Sequence, residues 1–190
     1  MRDPPRTQTG MTDPVFTIGH STHPIEEFVQ MLQRNRIERV LDVRTVPGSR
    51  HNPQFGEHEL ADSLMGADIG YQRLAELGGL RHSTAGTNSI NGAWRNASFR
   101  NYADYMQTPE FEHGIDTLLR SAASQRVVIM CAEAVPWRCH RSLIGDALLV
   151  RHIDVEDIMS VSETKPHRMT EFARTQGHRL WYPPEEPANA

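Results

Sequence analysis

The sequence predicts an α/β fold: a single compact domain over residues 15–183, with a mostly parallel sheet of four or five strands and helices on both faces. Three observations carry that expectation. Short apolar runs alternate with amphipathic segments along the chain. The first three of these elements make a strand–helix–strand unit of about 30 residues, the size of a right-handed βαβ crossover. Arg126–Cys131 (RVVIMC) is an unbroken apolar run, as in a parallel strand covered on both faces. A length of 190 residues suits one domain and buries a core that needs no disulfide or metal staple.

Residues 1–14, rich in Pro, Thr, Asp and Arg, read as a flexible arm. Val15–Gly19 (VFTIG) is the first buried strand. Pro24 opens a helix whose Ile25, Phe28, Val29 and Leu32 form one apolar stripe. Glu26 and Glu27 in its first turn and Arg34 and Arg36 near its end suit the helix dipole. Arg39–Val43 is the second strand. The two prolines and the glycine of Val46–Phe55 require a loop. Glu57–Gly66 reads as a helix and Ile69–Leu74 as a third strand. Gly78 to Arg95, rich in Gly, Ser, Thr and Asn, has no period; a loop that long is usually functional or mobile. Thr108 and Pro109 start a helix as cap and first residue, with Phe111, Ile115, Leu118, Leu119 and Ala122 inward. After Arg126–Cys131 comes a helix near Cys139–Val150, then a short fifth strand at His152–Ile153. From Ser160 the chain is polar apart from Met169, Phe172, Leu180 and Trp181, with a flexible tail over 184–190.

Composition excludes several classes. Twenty Lys and Arg against 24 Asp and Glu give a net charge of −4, which argues against a DNA-coating protein and against tight non-specific duplex binding. No stretch approaches 18 apolar residues, so no membrane span is expected. The first residues lack the apolar core of a secretory signal. The two cysteines, Cys131 and Cys139, cannot build a disulfide framework, and the expectation is reduced thiols in cytoplasm. No G-x-G-x-x-G or G-x4-G-K-[ST] follows a strand, which removes dinucleotide-fold and P-loop readings.

In an open parallel sheet, ligands bind beyond the carboxyl ends of the strands. Those ends deliver His20 and Ser21, Arg44, Tyr71 with the following Glu76, and Cys131 with Glu133. The densest chemistry is Cys131–Arg141 (CAEAVPWRCHR): a thiol at a strand end, a carboxylate, then Arg138, Cys139, His140 and Arg141 where a helix begins. Cations at a helix N-terminus oppose its dipole by about 0.3–1 kcal/mol each, so an anion or Glu133 is expected beside at least one of them.

Five segments carry a family resemblance: TIGHS at Thr17–Ser21, LDVR with NPQF within Leu41–Phe55, ELGGLR at Glu76–Arg81, WRNASFRNYADYM at Trp94–Met106, and CAEAVPWRCHRSLI at Cys131–Ile144. With KPHRMTEFA at Lys165–Ala173 they resemble the DUF488 family, a domain of unknown function. The resemblance implies a compact α/β domain over about residues 15–183 and brings no settled reaction. Some relatives carry a loose DNA-repair label.

Four chemistries suit these residues. A phosphatase-like loop needs a Cys-x5-Arg spacing; here six residues separate Cys131 from Arg138, Pro136 removes an N–H and Glu133 adds a negative charge. A metal site could use Cys131, Cys139, His140 and His20, but C-x7-C-H is no standard finger. Adjacent Cys139 and His140 on a helix would also point apart. The third is an enzyme for a small anionic substrate, phosphorylated or nucleotide-like, with a link to nucleic-acid repair. Cys131, Glu133, His20 and His140 are its candidate catalytic residues; a buried Glu133 would be the acid–base group. Ser21, Arg44, Arg50, Arg95, Trp137, Arg138 and Arg141 would bind substrate, with Trp94, Phe99, Tyr102 and Trp137 able to stack on a flat ring. The fourth is a non-catalytic module that binds a nucleotide or nucleic-acid end. The third is the reading adopted; it assigns no residue to a metal and names no cofactor.

Overall fold

The computed structural model describes residues 13–48, 51–82 and 88–184. Five parallel strands lie side by side: β1 (Val15–Gly19), β2 (Arg39–Asp42), β3 (Gly70–Arg73), β4 (Val127–Cys131) and β5 (Val155–Ser160). A sixth, β6 (Glu163–Pro166), runs antiparallel along the edge beside β5, and the order is β3-β2-β4-β1-β5-β6. A separate two-stranded hairpin, β7 (Arg174–Gln176) and β8 (Arg179–Trp181), follows.

Every residue of β1 and β4 is buried, as befits strands covered on both faces. Alternate side chains divide between two cores. Phe16, Ile18, Val40, Val128 and Met130 face α1 (Ile25–Arg34) and α2 (Glu57–Met65), which contribute Phe28, Met31, Leu32, Leu60 and Leu64. Val15, Leu41, Val127, Ile129 and Cys131 face the opposite core, built from α3 (Ala97–Tyr105), α4 (Pro109–Ala122) and α5 (Arg141–Leu149). No helix among the described residues is long and apolar enough to cross a membrane.

Three stretches depart from the sequence expectation. The fifth strand lies at Val155–Ser160; His152 has φ of 60°, in the left-handed region, and belongs to the turn before it. The apolar pattern does not mark helix α3, whose stripe is short, although Asn96 caps it by accepting from the Ser98 and Phe99 amides. The stretch after Ser160 holds three strands, with Leu180 and Tyr182 buried in the core.

Position in the sheet creates the site. β1 and β2 lead toward helices on one face, whereas the neighbouring β4 leads to α5 on the other. The connections therefore diverge at the carboxyl ends of these strands and leave a crevice, as at a topological switch point.

Candidate functional site

Beyond β1 and β4 the backbones stay paired: the His20 amide donates to the Cys131 carbonyl and the Ser21 amide to that of Ala132, each at 2.9 Å. Ser21 takes φ of 47° to hold this path. Gly19 allows the close approach, since a Cβ there would overlap the Glu133 carbonyl. Arg141, almost fully buried, then ties the loop from behind. Its guanidinium donates to the Glu133 carbonyl at 2.5 Å and the Ala134 carbonyl at 2.9 Å. It holds backbone oxygens rather than the Glu133 carboxylate. Glu133, expected to be buried, is exposed, because its main chain and not its side chain is drawn inward.

Two adjoining hollows open over these strand ends. One, of about 360 Å³, is lined by Arg44, Gly79, Phe99, Cys131, Glu133, Arg138, Cys139 and His140, among others. The second, of about 380 Å³, is lined by His20, Ser21, Arg44, Asn52 and Glu133, among others. Arg44 and Glu133 belong to both, so His20, Ser21, Arg44, Cys131 and Glu133 lie around two adjoining hollows, whereas Tyr71 and Glu76, also expected at the strand ends, line neither.

Arg44 is 5% exposed and bound to Asp42: Nε and Nη2 reach the carboxylate at 2.6–3.1 Å, and Nη1 donates to the Phe55 carbonyl at 2.8 Å. Tyr71 donates to the same carboxylate at 2.7 Å. His20 stacks on Phe55 with ring centroids 4.2 Å apart, and its Nε2 lies 3.3 Å from Arg44 Nη1. Burial pushes its pKa down to about 4, against the opposing pull of the Ser21 carbonyl on Nδ1; Arg44 adds to the depression. His20 is thus a neutral imidazole at pH 7 and lines the second hollow, not the one lined by the cysteines.

The cysteines meet around His140. Cys131 Sγ, Cys139 Sγ and a His140 ring nitrogen all lie within 4.8 Å of one another. Cys139 and His140 do not diverge as a helical pair would. Cys139 is extended (φ −133°, ψ 144°), and only His140 (φ −57°, ψ −19°) enters the helical region before α5 begins at Arg141. The His140 ring is held by its Nε2, 3.1 Å from the Val43 carbonyl, and by Tyr102, whose ring centroid is 4.9 Å away. The thiols are inequivalent. A hydrogen bond from Cys131 lowers the Cys139 pKa to about 7 against its burial, with Arg141 assisting; the same bond and burial raise that of Cys131. Of the pair, Cys139 is the one that ionises first. Both are free thiols.

The remaining predicted residues scatter. Arg138 is exposed on the rim of the first hollow. Arg95 is exposed just before α3 and lines neither hollow. Arg50 lies outside the described residues. Trp137, 65% exposed, faces a different hollow of about 760 Å³ with Trp94, Met169 and His167. Trp94 packs on Phe99, Phe172 and Tyr182, and Tyr102 is fully buried; of the four aromatics only Phe99 reaches the cysteine hollow.

Sequence reasoning missed the carboxylates that organise the interior: Asp42 on β2, Asp146 on α5 and Asp157 on β5. Asp42 and Asp146 stand among apolar neighbours (VLDV, LIGDALL) and Asp157 is buried within β5; a carboxylate in such a place requires a partner. Asp146 and Asp157 clasp His167 at 3.1 and 3.2 Å.

Among known proteins, the family model described as domain of unknown function DUF488 matches residues 24–148. No curated protein and no solved structure matches the chain.

Proposed function

The chain belongs to the DUF488 family, whose function is unknown, and we propose that it is an enzyme acting on a small anionic substrate, phosphorylated or nucleotide-like. The substrate would sit in the hollow at the carboxyl ends of β2 and β4. The observation that carries this reading is the convergence of Cys131, Cys139 and His140 on a solvent-reachable hollow that also presents the Glu133 carboxylate and the Arg138 guanidinium. A purely structural trio would have no need of that opening.

In this reading the Cys–Cys–His cluster acts on the reacting atom, and Glu133, exposed at the rim, carries protons to and from solvent. Arg138 clamps the anion; it has no ion-pair partner among the described residues. Arg44 contributes shape rather than net charge, since Asp42 neutralises it. Arg141 positions the loop from behind.

Calorimetric titration with inorganic phosphate and a nucleoside 5′-monophosphate tests the anion site. Arg138→Gln should weaken whichever binds by about tenfold or more, as expected for loss of a charge-assisted contact of roughly 1.5–3 kcal/mol. Equal affinity in wild type and variant contradicts it. Phosphorus NMR on a panel of phosphate esters then separates enzyme from binding module. Turnover that Glu133→Gln loses while still binding supports an enzyme, and binding with no turnover by wild type contradicts one.

A further inference from the structure

The Cys131–Cys139–His140 cluster has a property beyond thiol chemistry. The Val43 carbonyl 3.1 Å from His140 Nε2 carries no proton, so Nε2 donates there. The ring's lone pair is thereby left on Nδ1, the nitrogen that faces both sulfurs. A backbone carbonyl that fixes the tautomer in this way is the usual outer support of a metal-ligating histidine.

The spacing agrees. Nδ1 lies 3.6 Å from Cys139 Sγ and 3.9 Å from Cys131 Sγ. A tetrahedral ion with bonds of about 2.3 Å to sulfur and about 2.0–2.1 Å to nitrogen separates such ligand atoms by about 3.6 Å. The three side chains are held from several directions, by Val43, Tyr102 and the Arg141-tied loop. Gly79 stands against His140 Nδ1, where any Cβ would collide with the ring. A Cβ would press on the ring face above Nδ1, so the bare position lets the imidazole sit where its Nδ1 meets both sulfurs. Cys131, Cys139 and His140 are all lining residues of the 360 Å³ hollow.

We propose that Cys131, Cys139 and His140 bind a thiophilic divalent cation of the Zn²⁺ class, with its fourth position turned to the hollow for water or substrate. The inference rests on reading this hollow as the reactive centre and names what the cluster holds there. Two sulfurs and an imidazole select a soft or borderline ion over Mg²⁺ or Ca²⁺, which take oxygen ligands. Three protein ligands with one open position is the pattern of catalytic rather than structural zinc. Binding forms two metal–sulfur bonds and one metal–nitrogen bond; the thiol protons pass to solvent, and nothing is oxidised or reduced.

The test uses the full chain, purified without an affinity tag and kept anaerobic with a non-chelating phosphine reductant. It is titrated with Co²⁺ and then with Zn²⁺. The expected result is one equivalent of Co²⁺ with tetrahedral visible bands and a sulfur-to-cobalt charge-transfer band, all bleached by one equivalent of Zn²⁺. Cys139→Ser should lose the charge-transfer intensity of one sulfur. Gly79→Ala, which keeps all three ligands, should weaken Co²⁺ binding by about tenfold or more, the scale of outer-support losses. Competition between the wild-type chain and a chromophoric zinc chelator reads the same site without any variant. No charge-transfer band, or an unchanged one in Cys139→Ser, overturns the proposal; so does a Cys131–Cys139 disulfide that persists under reductant. Phosphate binding through Arg138 without a cobalt spectrum would overturn the metal alone. A cobalt site on a chain that binds no anion would instead overturn the substrate reading alone.

Discussion

Two imidazoles lie along helix α5, and their surroundings give them different partners. His167 packs against Gly145 in the helix interior, with Asp146 at 3.1 Å from one nitrogen and Asp157 at 3.2 Å from the other. Asp146 also accepts from Tyr182 and from the Thr170 amide, and Asp157 from Thr17 on β1. The network stitches β1, β5, α5 and the C-terminal segment together. Burial alone would lower the His167 pKa, but the two carboxylates raise it to about 9. His140, at the start of the same helix, meets one carbonyl and two sulfurs instead. Saturating both nitrogens with carboxylates makes a charged structural tie; satisfying one leaves the other beside two sulfurs, free for the proposed metal. Residue type is the same in both places, and the partners decide.

Removing a partner from the charged network has the largest effect. Asp146→Asn or His167→Leu should lose roughly 3–5 kcal/mol in denaturant unfolding, because each leaves a buried charge uncompensated. The same network predicts a pH limb. The folded pKa of His167, about 9, exceeds the ordinary 6.5, so its contribution is complete below about pH 6.5 and fades as pH rises through 9. The loss is about 3 kcal/mol by linkage and should vanish in His167→Gln. His20 titrates in the opposite sense. Its folded pKa of about 4 lies below 6.5, so stability falls as pH drops from about 6.5 toward 4.

Arg141→Gln comes next. Its two carbonyl contacts are charge-assisted, and the variant should lose about 1.5–3 kcal/mol with the Cys131–His140 loop loosened, read by melts and by amide exchange at Glu133 and Ala134. His140→Gln sacrifices one hydrogen bond to Val43 and should cost about 0.5–1.5 kcal/mol, well under the His167 variants. A loss equal to theirs would erase the distinction between the two regions. Glu133→Gln, at an exposed position, should stay within about 0.5 kcal/mol while turnover falls.

Much of the scaffold is legible in the chain because it depends on local pattern. VFTIG, RVLDV and RVVIMC are strands on their apolar content alone, and the strand-end rule by itself groups His20, Arg44 and Cys131 at one edge of the sheet. What stays hidden depends on long-range pairing. Nothing local says that Arg44 spends its charge on Asp42, or that His167 reaches Asp146 and Asp157 across 21 and 10 residues. Nor does the sequence say that Cys139 is extended. That single backbone state turns Cys139 and His140 toward the same point and makes a cluster that helical geometry would forbid. Arg141 misleads for a related reason: its helix position suggests an anion, but the loop preceding it folds back and presents carbonyls.

Long-range proton–nitrogen NMR of the histidine rings at pH 8, before and after one equivalent of Zn²⁺, tests the contrast in a single spectrum. The His167 ring should carry protons on both nitrogens and ignore the metal. The His140 ring should carry its proton on Nε2 with a bare Nδ1, and Zn²⁺ should move the Nδ1 resonance. A His140 proton on Nδ1, or a zinc response at His167 in place of His140, would contradict the assignment of structure to one imidazole and chemistry to the other.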